Sequence, residues 1–401
     1  MKTSVSVQVK SEAAGRMVRL AAIFLAALFV GKQAQASTTT AVHSFSGSGP
    51  AAAPLVLAND GNYYGIGDGV FYKLTSGGTY TSIATWSGGS PSSLIKGSDG
   101  NLYGTTWDGG AYGYGSVFEV TLTGTQTTLV DFTDGSDGNT PNTLLQALTG
   151  EFYGTTYGGG DNDCGTVFEL DNGSSTWALT TIEELTTTSG KYPVGLILAS
   201  DGYLYCTAQE GGTNNEGTLV RFEPWGTSPD VLVEFGGAPT YPDTGTSMNG
   251  AFPSYLIEAE SGKFIGMTDE GGYYGRGVMF TYSDEDGFST WFDIGGTDTD
   301  LSGPGTGQHP AGAPVLGSDG YFYGVMKTGG SSPSDVDGGG IIYRLSFNFS
   351  SYIPSYDILY NFNSANTVGA LPVSGLMFDG AGHFYGTTTS SSHHSIFKFT
   401  P

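Results

Sequence analysis

The sequence predicts an all-β fold, a seven-bladed β-propeller of four-stranded antiparallel blades. Composition, a sevenfold internal repeat and complementary chain ends predict it. Of 401 residues, 66 are Gly and 17 are Pro, while aromatic and charged residues each make up 13%. The aromatic content excludes an aromatic-poor disordered chain. The low charge excludes a charge-laced helical protein. Abundant Gly, Thr, Ser, Tyr and Phe suit many short strands joined by tight turns.

One unit of the repeat reads as a Pro, an apolar run, a Gly turn and an aromatic-Gly-Thr-Thr segment. A Gly-Gly loop, Gly-x-Val-Phe and a Thr-rich segment ending in Phe complete it. The clearest copy runs from Pro91 to Phe132, with Tyr103-Gly104-Thr105-Thr106, Gly109-Gly110 and Val117-Phe118. Units start near Pro50, Pro91, Pro141, Pro193, Pro253, Pro310 and Pro372. Each Pro precedes, by 12 to 14 residues, one of Tyr64, Tyr103, Tyr153, Tyr205, Ile265, Tyr323 and Tyr385. The next residue is Gly six times and Cys206 once. Such spacing marks a repeat architecture, in which neighbouring units must stack to bury a core. Each unit holds four strands, A to D. Strand A follows the Pro, B carries Tyr-Gly, C carries Val-Phe and D closes the unit. Asp-Gly in the A–B link, as at Asp99-Gly100, predicts a two-residue hairpin with positive φ.

Residues 37–401 are predicted to form one propeller domain. Its seventh unit runs through strand C at Ile396-Phe397-Lys398-Phe399, whereas Thr39 to Phe45 reads as a strand D ahead of the first unit. Residues 39–45 are therefore predicted to complete the last blade and close the ring, which removes loose edges.

Residues 1–36 read as a signal peptide: Lys10, Arg16 and Arg19, then the apolar run Leu20 to Val30, then Ala34-Gln35-Ala36. Eleven apolar residues are too few for a typical transmembrane helix. A secreted or cell-surface protein is expected, with no membrane span after signal removal, and a monomer. Residues 37–401 carry 9 basic and 37 acidic side chains, a net charge of −28. That surface repels phosphate backbones, so no nucleic-acid partner is expected. Cys164 and Cys206 are the only cysteines, too few for a disulfide framework, and they read as free thiols.

The run Asp99-Gly100-Asn101-Leu102-Tyr103-Gly104-Thr105-Thr106, then Gly109-Gly110, then Gly115-Ser116-Val117-Phe118-Glu119-Val120 resembles the GloVer (Gloeobacter–Verrucomicrobia) tandem repeat of secreted bacterial proteins. The resemblance covers nearly all of the chain after residue 36. It implies export and a propeller-like fold, and it implies no reaction.

In a propeller the B–C and D–A connections share one face, and the A–B links lie on the other. The A–B links here are short, while the D–A links vary most, so the B–C/D–A face is the expected functional face. It should collect Trp107, Tyr112, Tyr114, Tyr157, Tyr192, Tyr273 and Tyr274. Of these, Trp107, Tyr112, Tyr157, Tyr192 and Tyr274 are the candidate ligand-binding residues, as aromatic platforms for sugar rings; the same rings would equally pack against Gly-rich loops. His309, Arg276, Tyr192 and Tyr273 are the candidate catalytic residues. A polysaccharide lyase needs a His or Tyr base and cations, which Lys191, Arg276, Lys327 and His309 would supply. His393 and His394 map to the same face. Metal candidates are Asp161 and Asp163, and Asp335 and Asp337, acidic loops that would take calcium although none has the spacing of an EF-hand. Asp284-Glu285-Asp286-Gly287 is a similar loop. No organic cofactor is expected.

No nucleophile elbow, phosphate loop or dinucleotide fingerprint stands in a fitting context. The expected function is a binding or interaction module for an extracellular glycan or a surface protein. The alternatives are a carbohydrate-active enzyme, a lyase or hydrolase, and a structural cell-envelope protein.

Overall fold

Inner, middle and outer strands repeat seven times in a computed structural model describing residues 37–45, 54–173, 176–226, 228–237, 247–294, 307–330, 339–346, 355–363, 368–389 and 394–401. The segment 1–36 and Pro50 lie outside the described residues. Blade two shows the plan, with strand A at Pro91–Lys96, B at Leu102–Thr106, C at Ser116–Val120 and D at Gln126–Asp131, all antiparallel. Blades one and three to six run A to D within their own units. Strand A of blade six is split into Gln308–Pro310 and Val315–Leu316, both paired with Phe322–Thr328.

Ring closure occurs as the chain ends foretell. The strand Thr38–Phe45 is hydrogen-bonded to His394–Thr400 and forms the outer strand of blade seven. The side chains repeat one kind of junction, an aromatic pair at four of the seven and an aromatic with Leu or Ile at the others. Successive residues of a strand point to opposite faces, so the two aromatics before the strand-B Gly serve different neighbours. Tyr103 packs on Phe152 of the next blade at 4.6 Å, Tyr205 on Phe264 at 4.3 Å and Tyr323 on Phe384 at 4.3 Å. Tyr385 of blade seven packs on Tyr63 of blade one at 4.4 Å with the same tilt of 35°. Each such pair contributes about 0.5–1.5 kcal/mol beyond its buried area.

The strand-B Gly is required by strand C. Gly104 faces Phe118, Gly154 faces Phe168, Gly266 faces Phe280 and Gly386 faces Phe397 across the ladder. An added Cβ would lie 2.5, 2.3, 2.0 and 2.5 Å from those rings. Blade four has Cys206 here, and its cross-strand partner is Val220 instead of an aromatic ring. The larger residue on strand B is matched by a smaller one on strand C. Cys206 and Cys164 are both buried free thiols.

The A–B turns differ from the expected two-residue hairpin. Gly97 N–H donates to Asn101 O at 2.8 Å and Gly100 N–H to Gly97 O at 3.1 Å, giving a three-residue loop whose last residue, Gly100, has φ 92°. Asp99 keeps negative φ because this loop places its left-handed residue at Gly100, and its carboxylate ties the turn together. Its Oδ1 accepts Asn101 N–H at 3.1 Å and its Oδ2 accepts the Tyr103 hydroxyl at 3.0 Å. Asp60–Tyr64, Asp201–Tyr205 and Asp319–Tyr323 repeat the hydroxyl bond at 2.7–2.8 Å. The two-residue Asp-Gly hairpin occurs instead in the B–C link of blade one, where Gly67 pairs with Val70 and Asp68 and Gly69 have φ 55° and 71°.

Candidate functional site

The B–C loops are held by the D–A connections, which places both on one face. Gly160 N–H donates to Gly135 O, Gly212 N–H to Thr187 O and Gly272 N–H to Ser247 O at 2.8–2.9 Å. The residue after each Gly-Gly then reaches the end of strand D. Ala111 N–H donates to Asp131 Oδ1 at 3.1 Å, Asp161 N–H to Glu184 Oε2 at 2.7 Å and Tyr273 N–H to Asp293 Oδ1 at 2.7 Å. These loops are built, with their backbone donors satisfied.

The unit-opening Pro locks each blade to the one before it. An added Cβ on Gly115, Gly165, Gly217 or Gly340 would lie 2.4–2.7 Å from Cδ of Pro141, Pro193, Pro253 or Pro372. The residue preceding the Pro adopts the left-handed region: Thr140, Tyr192, Phe252, His309 and Leu371 have φ of 54–60°. Thr140, Tyr192, Phe252 and Leu371 donate their N–H groups to the carbonyls of Tyr114, Cys164, Glu216 and Gly339 at 2.7–2.9 Å. A non-Gly residue held there costs on the order of 1–3 kcal/mol, and the inter-blade bond and the Pro contact over-determine it. Each unit thus presents two equivalent positions on the loop face. One precedes the Pro, and the other ends strand B: Trp107, Tyr157, Gln209, Asp269, Lys327 and Thr389 in blades two to seven.

Tyr157 and Tyr192 show how these positions meet. The strand-B end of blade three stacks on the pre-Pro ring of blade four, with centroids 4.7 Å apart and planes 10° apart. Burial raises the Tyr157 hydroxyl pKa, with the neighbouring Tyr192 and Glu210 adding to it. Lys191 pairs with Glu210 at 3.0 Å beside the stack. Both faces of a sugar ring are not accommodated between rings this close. These two tyrosines form a wall between blades.

Blade two differs. Trp107, Tyr112 and Tyr114 are 48%, 63% and 41% exposed within one short B–C loop. That loop is fixed by Trp107 N–H to Ser90 O at 2.8 Å, Gly115 N–H to Gly109 O at 3.1 Å and Asp108 Oδ1 accepting Ser90 N–H at 2.6 Å. In blade five, Tyr273 and Tyr274 meet edge to face at 4.9 Å, and Tyr273 is exposed.

The four candidate catalytic residues fall at two junctions. Tyr192 belongs to the junction of blades three and four, while Tyr273 and Arg276 sit in the blade-five B–C loop and His309 opens blade six. Arg276 Nη1 is buried with no hydrogen-bond partner among the described residues. His394 shares a hydrogen bond with Thr389 Oγ1 at 2.8 Å, and His393 lies outside the described residues.

The acidic-loop candidates are structural where they are visible. Asp163 has φ 53° and its Oδ1 accepts Gly159 N–H at 3.3 Å, so it caps its own loop. Asp161 is exposed beside it. Asp284 is drawn to Arg221 at 2.8 Å. Among the described residues no group of three or more His, Cys, Asp or Glu is arranged to hold a metal. Asp335 and Asp337 lie outside the described residues.

Sequence reading missed Asp269. Its Oδ1 is buried without a hydrogen-bond partner among the described residues. Burial raises its pKa, with Lys327, His309 and a hydrogen bond from Ser254 opposing that rise and Glu270 adding to it. Aligning the strand-B ends of the units would have singled it out, because it is the one carboxylate among the six positions from Trp107 to Thr389.

Residues 66–249 match the Gloeobacter/Verrucomicrobia repeat. Over those residues the chain is similar to that repeat. Of the loop, Pro and strand-B features described above, those of blades two to four fall within the matched residues. No curated protein matches the chain. Among solved structures it is similar to virginiamycin B lyase from Staphylococcus aureus, with a TM-score of 0.58 and 13% identity over 91% of this chain and 99% of that chain. A catalytically inactive form of that lyase with quinupristin gives a TM-score of 0.57 and 12% identity, with the same shares covered. The Dos1 propeller gives 0.51 and 10% identity over 86% of this chain and 77% of that one. At these identities the likeness is one of fold.

Proposed function

We propose that the protein is an exported binding propeller whose B–C/D–A face takes an extracellular glycan. The observation that carries this reading is the blade-two loop, in which Trp107, Tyr112 and Tyr114 stand exposed on a hydrogen-bonded loop. Aromatic side chains left this exposed offer large, rigid faces at low entropic cost. Asp108 and Asp131 lie in and beside the loop and offer acceptors for sugar hydroxyls at its rim. The acidic surface, −28 for residues 37–401, favours neutral over anionic glycans. Export rests on the signal-like character of residues 1–36.

The test is a glycan array probed with wild type and with a Trp107→Ala, Tyr112→Ala double variant. Wild type is expected to bind neutral oligosaccharides, and the double variant to bind at least about tenfold more weakly, as for loss of an aromatic anchor. A blank array, together with degradation of a polysaccharide by the pure protein, would overturn the binding reading in favour of an enzyme.

A further inference from the structure

The junction of blades five and six carries a polar arrangement not repeated at the equivalent positions of the other described junctions. The strand-B end of one blade meets the pre-Pro residue of the next, as Tyr157 and Tyr192 demonstrate. The corresponding pairs are Trp107 and Thr140, Gln209 and Phe252, Asp269 and His309, and Lys327 and Leu371. Asp269 and His309 are the one pair that sets a carboxylate against an imidazole. The strand Lys263–Glu270, which carries Asp269, lies against Gln308–Pro310, which carries His309. Lys327 follows Met326, the strand partner of Pro310, and so lies beside His309 in blade six.

We infer that Asp269, His309 and Lys327 form a hydroxyl-binding subsite for a vicinal diol of a neutral sugar. The inference rests on the glycan reading and adds a second, polar contact to it. Ser254 acts on the Asp269 carboxylate by a side-chain hydrogen bond. Asp269 Oδ1 is left, among the described residues, as a buried acceptor without a donor, a state costly enough to call for an explanation. One hydroxyl of a diol donates to that carboxylate. The adjacent hydroxyl accepts from the exposed Lys327 ammonium, which has three donors and no acceptor. His309, across the strand pair from Lys327, donates or accepts according to its tautomer. A uronate does not suit this site, because its carboxylate would face Asp269. A metal ion does not suit it either, because among the described residues no three His, Cys, Asp or Glu are grouped to hold one.

Calorimetric titration with cellohexaose, mannohexaose, xylohexaose and laminarihexaose tests the subsite, using wild type, Asp269→Asn, His309→Gln and Lys327→Met. Asp269→Asn is expected to weaken binding of the best hexaose by about 10–100-fold, the range for a hydrogen bond to a charged group. Lys327→Met, a change at an exposed side chain that leaves folding intact, is expected to weaken it by about tenfold. Galacturonate hexamers are expected to bind more weakly than the neutral hexaoses. If Trp107→Ala abolishes binding while Lys327→Met and a folded Asp269→Asn leave it within twofold, the subsite is wrong and the glycan reading stands. Tighter binding of the uronate also overturns the subsite. If wild type binds none of the hexaoses, the subsite falls; a blank array as well takes the glycan reading with it.

Discussion

Replacing Gly266 with Ala puts a methyl carbon where the Phe280 ring already lies. The added Cβ would be 2.0 Å from the ring Cζ and 2.5 Å and 2.6 Å from the two Cε atoms. Carbon–carbon contact is comfortable at about 3.5–4.0 Å, so the ring must retreat by about 1.5 Å. It has little room, because Phe235 and Phe288 hold it at centroid distances of 5.1 Å and 5.5 Å. Overpacking of this kind costs about 1–3 kcal/mol. Phe280→Val alone leaves a cavity and costs about 2–4 kcal/mol, somewhat less than truncation to Ala. The double variant restores the pairing of blade four, where Cys206 faces Val220. It should be more stable than the sum of the single changes by about 1–2 kcal/mol, a coupling typical of residues in contact. Urea unfolding of the four proteins, followed by tryptophan fluorescence and compared at a common slope, reads this directly. Additivity within about 0.5 kcal/mol would refute the argument that strand-B Gly exists to receive the strand-C ring.

Tyr103→Phe removes the hydroxyl that bonds Asp99 and should cost about 0.5–1.5 kcal/mol in urea unfolding. Tyr153 has no turn Asp before it, so Tyr153→Phe should stay within about 0.5 kcal/mol of wild type. Burial, reinforced by Glu184, pushes the Glu183 pKa up from 4.5 to about 7. A carboxyl raised in this way favours the folded state when protonated. Its charging therefore destabilises the protein as pH rises from about 4.5 through 7. Glu183 keeps some solvent contact, so Glu183→Gln should gain on the order of 1–2 kcal/mol at pH 8 and nothing below pH 4. A pH series of melting temperatures that runs parallel for both proteins would count against this. Deleting residues 37–45 removes buried Phe45 and bares the edge of blade seven. A loss of about 3 kcal/mol or more and concentration-dependent association should follow, and calorimetry with light scattering would detect both.

The architecture was legible because each blade needs the same few contacts. Pro141, Gly115 and Tyr103 recur at fixed spacing since they make the inter-blade joint, and Thr39 to Phe45 stood out as a strand D without a unit. The A–B turn was misjudged because Asp99 was read for its backbone, whereas its side chain holds Asn101 N–H and the Tyr103 hydroxyl. The candidate site was less legible. Trp107 and Tyr192 look alike as loop-face aromatics, yet one is exposed and the other is stacked on Tyr157. That difference depends on which residue the next blade brings opposite. Asp269 was hidden for a related reason, since its partners His309 and Lys327 come from another unit.

Hydrogen–deuterium exchange on the protein with and without its tightest-binding array oligosaccharide asks most directly where the ligand sits. Slowed exchange should be confined to residues 107–115 and to the loop-face positions around Asp269 and His309. The turn at 97–101, and Trp225, which is 76% exposed in a C–D turn on the opposite face, should exchange as before. Slowing at those turns, with the blade-two loop unchanged, would contradict a binding propeller that works through its B–C/D–A face.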